Sequence, residues 1–362
     1  MNECELRDYI AALSPPDRRV MDDARVRQAR LAKPPGSLGA LEDYAVAVAG
    51  ITGQVCPTLS QCGVAVFAAD NGVVAEGVSV TPVSVTWRQC VNMARHKTGM
   101  SALAHRFGDS VTVYDVGVER PLPPPAVDVR IRAGTGNIAV EPAMTRSQAV
   151  DAMAAGIRAA RRAKEEGLQA LGIGEMGIGN TTTAAAVLSA LTGLPPEAVT
   201  GRGGGLTDAG LARKKQVIAG ALARHQVKPD DVLDVLHKVG GLDIAAMCGA
   251  FLGCCEQRLC AVADGFISVV AALCAARLCP VVSDYLFLSH VSCEIGYRAA
   301  AQALGKEPCL ALGMRLGEGS GCVLMFRVLE AACAAMSDMA TFEEAAIDDG
   351  YLAPIRNGQV GR

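Results

Sequence analysis

The chain repeats one pattern along most of its length: a short apolar run that ends in a polar or glycine-rich cluster, such as Asp70-Asn71-Gly72 or Asp264-Gly265. The apolar runs span residues 62–69, 111–114, 168–173, 259–263 and 285–288. Helical patterns lie between them, over residues 146–166, 211–224 and 265–278. This alternation predicts an α/β fold, a Rossmann-like parallel sheet with helices on both faces. Ligands of such sheets bind outside the carboxyl ends of the strands, where the polar clusters fall.

The two ends of the chain differ from the middle. Residues 1–45 are charged and helical in pattern until the segment Lys-Pro-Pro-Gly-Ser-Leu-Gly at residues 33–39, and the C-terminal residues are again helical in pattern. We therefore expect an α/β catalytic domain over residues 46–300. Residues 1–45 and 301–362 are expected to form a small helical subdomain that carries the glycine-rich loop around Glu318.

The composition argues against two classes of partner. Aromatic residues make up only 4% of the chain and the net charge is −3, whereas surfaces that bind nucleic acid need stacking aromatics or excess positive charge. The apolar stretches are interrupted before the ~18 residues that a membrane span requires, and the acidic N-terminus lacks the apolar core of a signal peptide. We expect a cytoplasmic protein that binds neither nucleic acid nor membranes.

The fourteen cysteines are scattered, and most lie inside apolar runs. Buried free cysteine packs as a small hydrophobic residue, and disulfides are not expected in a cytosolic chain. The group Cys248, Cys254, Cys255 and Cys260 could suggest a metal site. Its spacing lacks a paired Cys-x-x-Cys motif, so core packing is favoured and no metal is predicted.

Glu318 is the most informative single residue. It stands among three glycines in Gly317-Glu318-Gly319-Ser320-Gly321, immediately before a helical pattern. Glycine permits close approach of backbone and ligand, so this carboxylate is expected on a tight loop in a cleft. Because desolvation raises the pKa of a carboxylate, a glutamate held in this way is suited to act as a general base. A surface loop whose glutamate caps the helix is the alternative.

Two further glycine-rich segments indicate an anion site. Residues 174–183, Gly-Glu-Met-Gly-Ile-Gly-Asn-Thr-Thr-Thr, follow a strand and open a helix, so free amides and hydroxyls are available to a phosphate. The segment matches neither a Walker A sequence nor a dinucleotide fingerprint, which disfavours ATP and NAD. The second segment, residues 200–205, precedes Lys214, a residue type that pairs with phosphate oxygens. A helix cap and a flexible linker are the alternatives.

Two other groups could contact a small ligand. Ser79 and Thr81 follow the first strand and could donate or accept hydrogen bonds, although an ordinary turn explains them equally well. His290 lies beside Ser289 at another strand end, but a single histidine is more often structural. No serine-histidine-aspartate order is present, so hydrolase chemistry is disfavoured.

Taken together, these motifs resemble one family, the nicotinate-nucleotide–dimethylbenzimidazole phosphoribosyltransferases. Residues 33–39, 174–183, 240–241, 264–266, 289–290 and 315–319 occur in the order typical of that family. The resemblance implies a homodimer without a cofactor that moves ribose 5-phosphate from nicotinate mononucleotide to a benzimidazole, forming the α-ribotide used in cobalamin.

The resemblance also implies roles for individual residues. Glu318 would be the catalytic base on the azole N–H. The ribotide and its phosphate would be held by Glu175, Gly177, Gly179, Asn180, Thr181, Gly203, Gly205 and Lys214. The accepting base would be held by Ser79, Thr81, Arg88 and Leu316.

Four positions depart from the pattern of the family: Asn71, Arg88, Asp243 and Tyr297. Asn71 and Arg88 would lie near the accepting base, so adenine, another benzimidazole or a phenol could replace dimethylbenzimidazole. The alternative for Arg88 is that it points outward as a solvated charge on a helix, since arginine is seldom buried unpaired. A non-catalytic ribotide-binding paralogue or partner subunit is a competing interpretation, which the presence of Glu318 and Lys214 disfavours. A dinucleotide-dependent oxidoreductase of the same fold class lacks its glycine fingerprint.

Overall fold

The computed structural model describes residues 1–353. Its centre is a six-stranded sheet in which every pair of neighbouring strands is parallel. The strands are β1 (Cys62–Ala69), β2 (Ser110–Gly117), β3 (Val127–Asp128), β4 (Ala170–Met176), β5 (Cys260–Ala263) and β6 (Leu286–Leu288). Their order is β3-β2-β1-β4-β5-β6, that of a doubly wound sheet. The predicted α/β parallel sheet is confirmed, and β3 is a short edge strand that the sequence patterns did not predict.

Fourteen α-helices surround the sheet in the part of the chain that the structure describes. They are α1 (Glu3–Ala11), α2 (Arg18–Arg30), α3 (Ala40–Thr52), α4 (Ser84–Met93), α5 (Gly99–Phe107), α6 (Arg146–Glu165), α7 (Asn180–Thr192), α8 (Pro196–Val199), α9 (Asp208–His225), α10 (Val232–Val239), α11 (Leu242–Gln257), α12 (Phe266–Leu278), α13 (Gly296–Leu304) and α14 (Ser320–Asp338). Short 3-10 turns occupy Gly72–Glu76, Pro280–Tyr285 and Gly350–Leu352.

The central strands are apolar because helices cover them. Every residue of β1, β4 and β5 is buried, which matches the continuous apolar runs expected of a parallel sheet. Helix α11 packs on β1, β2 and β4, while α14 packs on β1, β4 and β5. The strand order reverses between β1 and β4, so the carboxyl ends of these two strands flank the crevice in which such folds bind ligands.

Helices from both ends of the chain pack together beside the sheet. A small apolar cluster of α2, α3 and α14 contains Ala24, Ala45, Val46, Ala49, Ala332 and Met336. The boundary predicted at residue 45 falls inside α3, and the one at residue 300 falls inside α13. The division into a catalytic domain and a helical subdomain therefore stays a proposal, and residues 354–362 lie outside the described part.

Helix α14 combines length with apolar character. Within residues 1–353 it is the one helix long and apolar enough to cross a membrane by length and composition, and 56% of that stretch is buried inside the fold. Such burial is typical of a core helix. All fourteen cysteines are free thiols, and ten of them are buried.

Candidate active site

A cavity of about 290 Å³ opens at the carboxyl ends of β1, β4, β5 and β6. Its walls come from loops that follow these strands and from two glycine-rich segments. The contributing residues are 78–81, 85, 89, 175–181, 202–204, 206, 264–268, 290, 292, 294 and 315–318. The cavity therefore lies where the polar clusters of the sequence predicted it, at the switch point of the sheet.

The turn between β4 and α7 places the start of a helix in the wall of this cavity. Gly179 precedes α7 with φ +96° and provides no side-chain cap for the first turn of the helix. Gly177, Gly179, Asn180 and Thr181 all line the cavity. In the first turn the amides of Asn180 and Thr182 already donate to the carbonyls of Gly177 and Gly179. The partial positive charge at the start of this thirteen-residue helix still attracts anions.

Lys214 brings a positive charge to the same place. Its side chain is fully buried, and its Nζ donates a 2.8 Å hydrogen bond to Thr181 Oγ1. Gly203 closes the gap from the other side: a Cβ there would lie 3.0 Å from Thr181 Oγ1 and 3.5 Å from the Lys214 Nζ. Gly205 stands on the same turn, outside the cavity wall. The structure thus brings together the two glycine-rich segments and the lysine that the sequence singled out.

The ammonium of Lys214 lacks a counter-ion in the described part of the chain, where no carboxylate lies within 4 Å of it. Burial lowers the pKa of Lys214 to about 8, and the more distant Glu294 opposes this shift. A buried cation is costly unless an anion accompanies it. The pocket beside Thr181 is therefore suited to a bound anion.

Glu318 occupies a left-handed backbone conformation, with φ +65°, between Gly317 and Gly319, whose φ angles are also positive. This conformation costs a residue with a side chain roughly 1–2 kcal/mol. The carboxyl group is buried and lines the cavity. Its Oε1 accepts a 2.7 Å hydrogen bond from Gln89 Nε2, and its Oε2 finds no partner among residues 1–353. One carboxylate oxygen is thus fixed and the other is free.

The loop that carries Glu318 is held from the neighbouring strand ends. Asp264, after β5, accepts hydrogen bonds from the amides of Gly319 at 3.0 Å and Gly321 at 2.7 Å. The amide of Glu318 donates to Glu175 Oε1 at 3.3 Å. Gly174 permits the contact on β4, because a Cβ there would lie 2.6 Å from the Glu318 carbonyl oxygen. Asp264 therefore acts as the cap that Gly319 cannot provide for α14.

Glu175, in the cavity wall, and Asp243, behind it, form a buried acidic pair. Asn180 donates one Nδ2 hydrogen bond to Glu175 Oε2 and another, of 3.0 Å, to Asp243 Oδ2. Burial raises the pKa of Glu175 to about 8, with a further contribution from the charge of Asp243 and opposition from the Asn180 hydrogen bond. Burial also raises the pKa of Asp243 to about 6. Glu175 lines the cavity, but its contacts orient Asn180 and the Glu318 loop.

On the β1 side, Ser79, Thr81 and Leu316 line the cavity. The Ser79 hydroxyl accepts from the Thr81 amide at 3.1 Å and donates to the Thr81 carbonyl at 3.2 Å, so the ordinary turn that the sequence also allowed is present here. Leu316 is 56% exposed, and its apolar surface stands at the mouth of the cavity.

Arg88 requires a correction. It was expected near the accepting base, but its side chain is exposed and does not line the cavity. Thr86, Cys90 and Met93 form the buried side of α4, which turns Arg88 toward solvent. The next residue, Gln89, lines the cavity and bonds Glu318. Sequence analysis missed Gln89 as a site residue, although its position four residues after the cavity-lining Val85 places both on one side of the helix.

The other three departures from the family pattern lie behind the wall. Asn71, Asp243 and Tyr297 are buried, and none of them lines the cavity. Asn71 accepts a hydrogen bond from the Thr183 hydroxyl at 3.4 Å. The Tyr297 hydroxyl has no partner within residues 1–353. These positions lie behind the inner surface of the cavity and are not part of it.

Comparisons with known proteins agree with this geometry. A family model described as phosphoribosyltransferase matches residues 13–347. A nicotinate-nucleotide–dimethylbenzimidazole phosphoribosyltransferase of Clostridium perfringens is 45% identical over 97% of this chain and 98% of its own, and one of Chloroflexus aurantiacus is 46% identical over 95% and 99%. A crystal structure of the Thermus thermophilus protein of that name superposes with a TM-score of 0.87 at 44% identity, covering 92% of this chain and all of the other.

Proposed function

The chain belongs to the nicotinate-nucleotide–dimethylbenzimidazole phosphoribosyltransferase family, and we propose that it transfers ribose 5-phosphate from nicotinate mononucleotide to 5,6-dimethylbenzimidazole or a closely related base. The products are nicotinate and the α-ribotide of the lower nucleotide loop of cobalamin. The observation that carries this proposal is one cavity whose wall contains a fixed carboxylate with a free oxygen, Glu318, and the Thr181 hydroxyl. The buried cation Lys214 lies directly behind that hydroxyl and donates a hydrogen bond to it.

The ribotide phosphate occupies the anion pocket in this proposal. The amide and hydroxyl of Thr181 and Lys214 Nζ would share the phosphate oxygens at the positive end of α7, with Gly177, Gly179 and Gly203 permitting close approach of the backbone. Charge-assisted hydrogen bonds of this kind contribute ~1.5–3 kcal/mol each. Glu175 and Gly205 act through the loops they stabilise, so they would position the pocket without touching the phosphate.

The reaction needs one bond broken, one formed and one proton removed. The bond between ribose C1′ and the pyridinium nitrogen breaks, and its electron pair neutralises the ring as nicotinate leaves. A nitrogen of the incoming base bonds to C1′ from the opposite face, which inverts β to α. Glu318 Oε2 takes the N–H proton of that base, while Gln89 holds Oε1 in place. Positioning of the two ligands supplies much of the rate.

The surface of the cavity supports a benzimidazole as the acceptor. Leu316, Val78, Val80 and Val85 give the β1 side an apolar lining, which suits a methylated bicyclic ring. The departures that raised adenine or a phenol as alternatives do not reach this surface. We further propose that the protein is cytoplasmic and acts as a homodimer.

The test is a coupled measurement of nicotinate release and α-ribotide formation from nicotinate mononucleotide, with dimethylbenzimidazole, adenine and phenol as separate acceptors. We expect stoichiometric release of nicotinate with dimethylbenzimidazole as the best acceptor. The matched control is Glu318→Gln, which keeps the shape and removes the base. Nicotinate mononucleotide that binds without reacting with any acceptor would favour the non-catalytic binding protein.

A further inference from the structure

His290 follows β6 and lines the cavity, yet it has no part in the proposed chemistry. Its side chain is 1% exposed. The ring is fixed at one nitrogen, Nδ1, which lies 2.9 Å from Ser289 Oγ. The other nitrogen, Nε2, has no hydrogen-bond partner within residues 1–353. The protein therefore orients this ring from one side and leaves its other nitrogen to the cavity.

The hydrogen bonds of Ser289 decide which ring nitrogen carries the proton. A hydroxyl group has one hydrogen to donate, and Ser289 Oγ donates it to the backbone carbonyl of Asp264 at 2.9 Å. Toward His290 the Ser289 oxygen can then only accept, so Nδ1 must be the protonated nitrogen. The carboxylate of Asp264, 3.9 Å from Nδ1, favours the same arrangement.

Burial lowers the pKa of His290 below its ordinary value, which favours the uncharged imidazole at neutral pH. A neutral ring with its hydrogen on Nδ1 presents a lone pair at Nε2. This nitrogen can accept a hydrogen bond and cannot donate one. Whatever binds beside it must therefore offer a donor.

The proposed substrate has few donors. At neutral pH its nicotinate carboxylate and pyridinium nitrogen have no hydrogen to donate, and its phosphate is largely deprotonated. The ribose hydroxyls remain. The accepting base has one N–H, but in the proposed mechanism Glu318 Oε2 takes that proton, so it is not available to His290.

We propose that His290 recognises the ribose of the bound ribotide, with Nε2 accepting a hydrogen bond from the 2′- or 3′-hydroxyl. Ser289 and the Asp264 carbonyl position the ring by fixing its tautomer. This inference rests on the proposed function, since it takes the ribotide as the ligand.

The tautomer can be measured without turnover. Protein labelled with ¹⁵N-histidine contains five histidines, and His290→Gln identifies the His290 resonances by their loss. We expect the two-bond coupling pattern of a neutral ring protonated at Nδ1, and a shift of the Nε2 resonance when nicotinate mononucleotide is added. Ser289→Ala should weaken the preference for this tautomer. A wild-type ring protonated at Nε2 would overturn the proposal.

Kinetics identify the hydroxyl. His290→Phe keeps a ring without a lone pair, while His290→Gln keeps an acceptor near the Nε2 position. We expect kcat/KM for nicotinate mononucleotide to fall about tenfold in the phenylalanine variant and much less in the glutamine variant, the scale of one lost hydrogen bond. With the 2′-deoxy or the 3′-deoxy substrate, whichever lacks the partner hydroxyl, the wild type and the phenylalanine variant should become equal.

The outcomes separate this inference from the proposed function. If the wild-type protein releases no nicotinate with any acceptor, the function fails, and the Nε2 shift on adding nicotinate mononucleotide still tests His290. The wild-type protein could react while His290→Phe lowers kcat/KM by the same factor for both deoxy substrates as for nicotinate mononucleotide itself. In that case His290 does not contact a ribose hydroxyl. If His290→Phe does not fold, the comparison of His290→Gln with the wild type on the same substrates and the NMR measurement decide the question.

Discussion

Replacing Lys214 by methionine should stabilise the ligand-free protein and weaken its binding of the ribotide. Methionine keeps the length of the buried side chain and removes the charge. In the folded chain the pKa of Lys214 is lowered from 10.5 to about 8. Below pH 8 the ammonium is charged in both the folded and the unfolded chain, so its burial lowers the free energy of unfolding by on the order of 3 kcal/mol. This cost fades as pH rises from about 8 to 10.5 and is absent above.

The stabilisation expected of Lys214→Met at pH 7 is therefore roughly 2 kcal/mol, after subtracting about 1 kcal/mol for the lost hydrogen bond to Thr181. Denaturant unfolding of the ligand-free protein measures it, and the gain over the wild type should shrink between pH 8 and pH 10.5. The matched control is Lys215→Met, one position along α9, where the side chain is partly exposed and no such gain is expected.

The same substitution should act in the opposite direction on the substrate. Loss of one charge-assisted phosphate contact lowers kcat/KM for nicotinate mononucleotide by roughly 10- to 150-fold, corresponding to ~1.5–3 kcal/mol. The wild-type affinity for the ribotide should also decline above pH 8 as the free lysine loses its proton. A methionine variant that is less stable than the wild type and binds the ribotide unchanged would refute the assignment of Lys214 to the phosphate.

Four further substitutions test the surroundings of Glu318. Glu318→Gln should lower kcat by ~10² or more while ligand binding measured by calorimetry persists, the scale of a lost general base; near-normal turnover would remove Glu318 from the mechanism. Asp264→Asn should lower kcat about tenfold in the wild-type background, because it loses one of the charge-assisted amide contacts that hold the loop. In the Glu318→Gln background the same substitution should lower kcat little further. Equal losses of kcat in both backgrounds would make Asp264 a purely structural residue. Arg88→Gln should leave the relative kcat/KM values of dimethylbenzimidazole, adenine and phenol unchanged, and a tenfold change in this preference would place the Arg88 side chain in the cavity. Gln89→Ala should reduce kcat about tenfold, because the Glu318 carboxylate loses the hydrogen bond that fixes it.

The sheet could be predicted from the sequence because a strand that is buried on both faces is a continuous run of apolar residues. Residues 62–69 form a continuous apolar run, and the strand β1 has the same bounds. The glycines around Glu318 were equally informative. Residues 317–319 have three consecutive positive φ angles, a conformation that favours residues without a Cβ at the two positions next to Glu318. In both cases the constraint acts within a few residues of the feature it reveals.

Contacts between segments that are distant in the sequence have no local sequence pattern and could not be predicted. Asp264 caps a helix that begins 56 positions later, and that geometry exists only after β5 and α14 have packed together. The raised pKa of Glu175 likewise depends on its burial in the folded chain and, to a smaller extent, on the charge of Asp243, which belongs to another element. Arg88 and Gln89 differ by one position, which is about 100° around a helix. The sequence did not reveal which face of α4 is buried, and the prediction therefore named Arg88 where Gln89 lines the cavity.

The buried cysteines of this protein can serve as native probes of local unfolding. Ten buried thiols are spread over strands and helices on both sides of the sheet, from Cys62 in β1 to Cys333 in α14. A buried thiol is alkylated only when the element around it opens, and its rate of modification therefore measures the free energy of that opening. Mass spectrometry of partially alkylated protein, with and without nicotinate mononucleotide, would map which elements the ligand stabilises, with Cys322 reporting on the first turn of α14 next to the Glu318 loop.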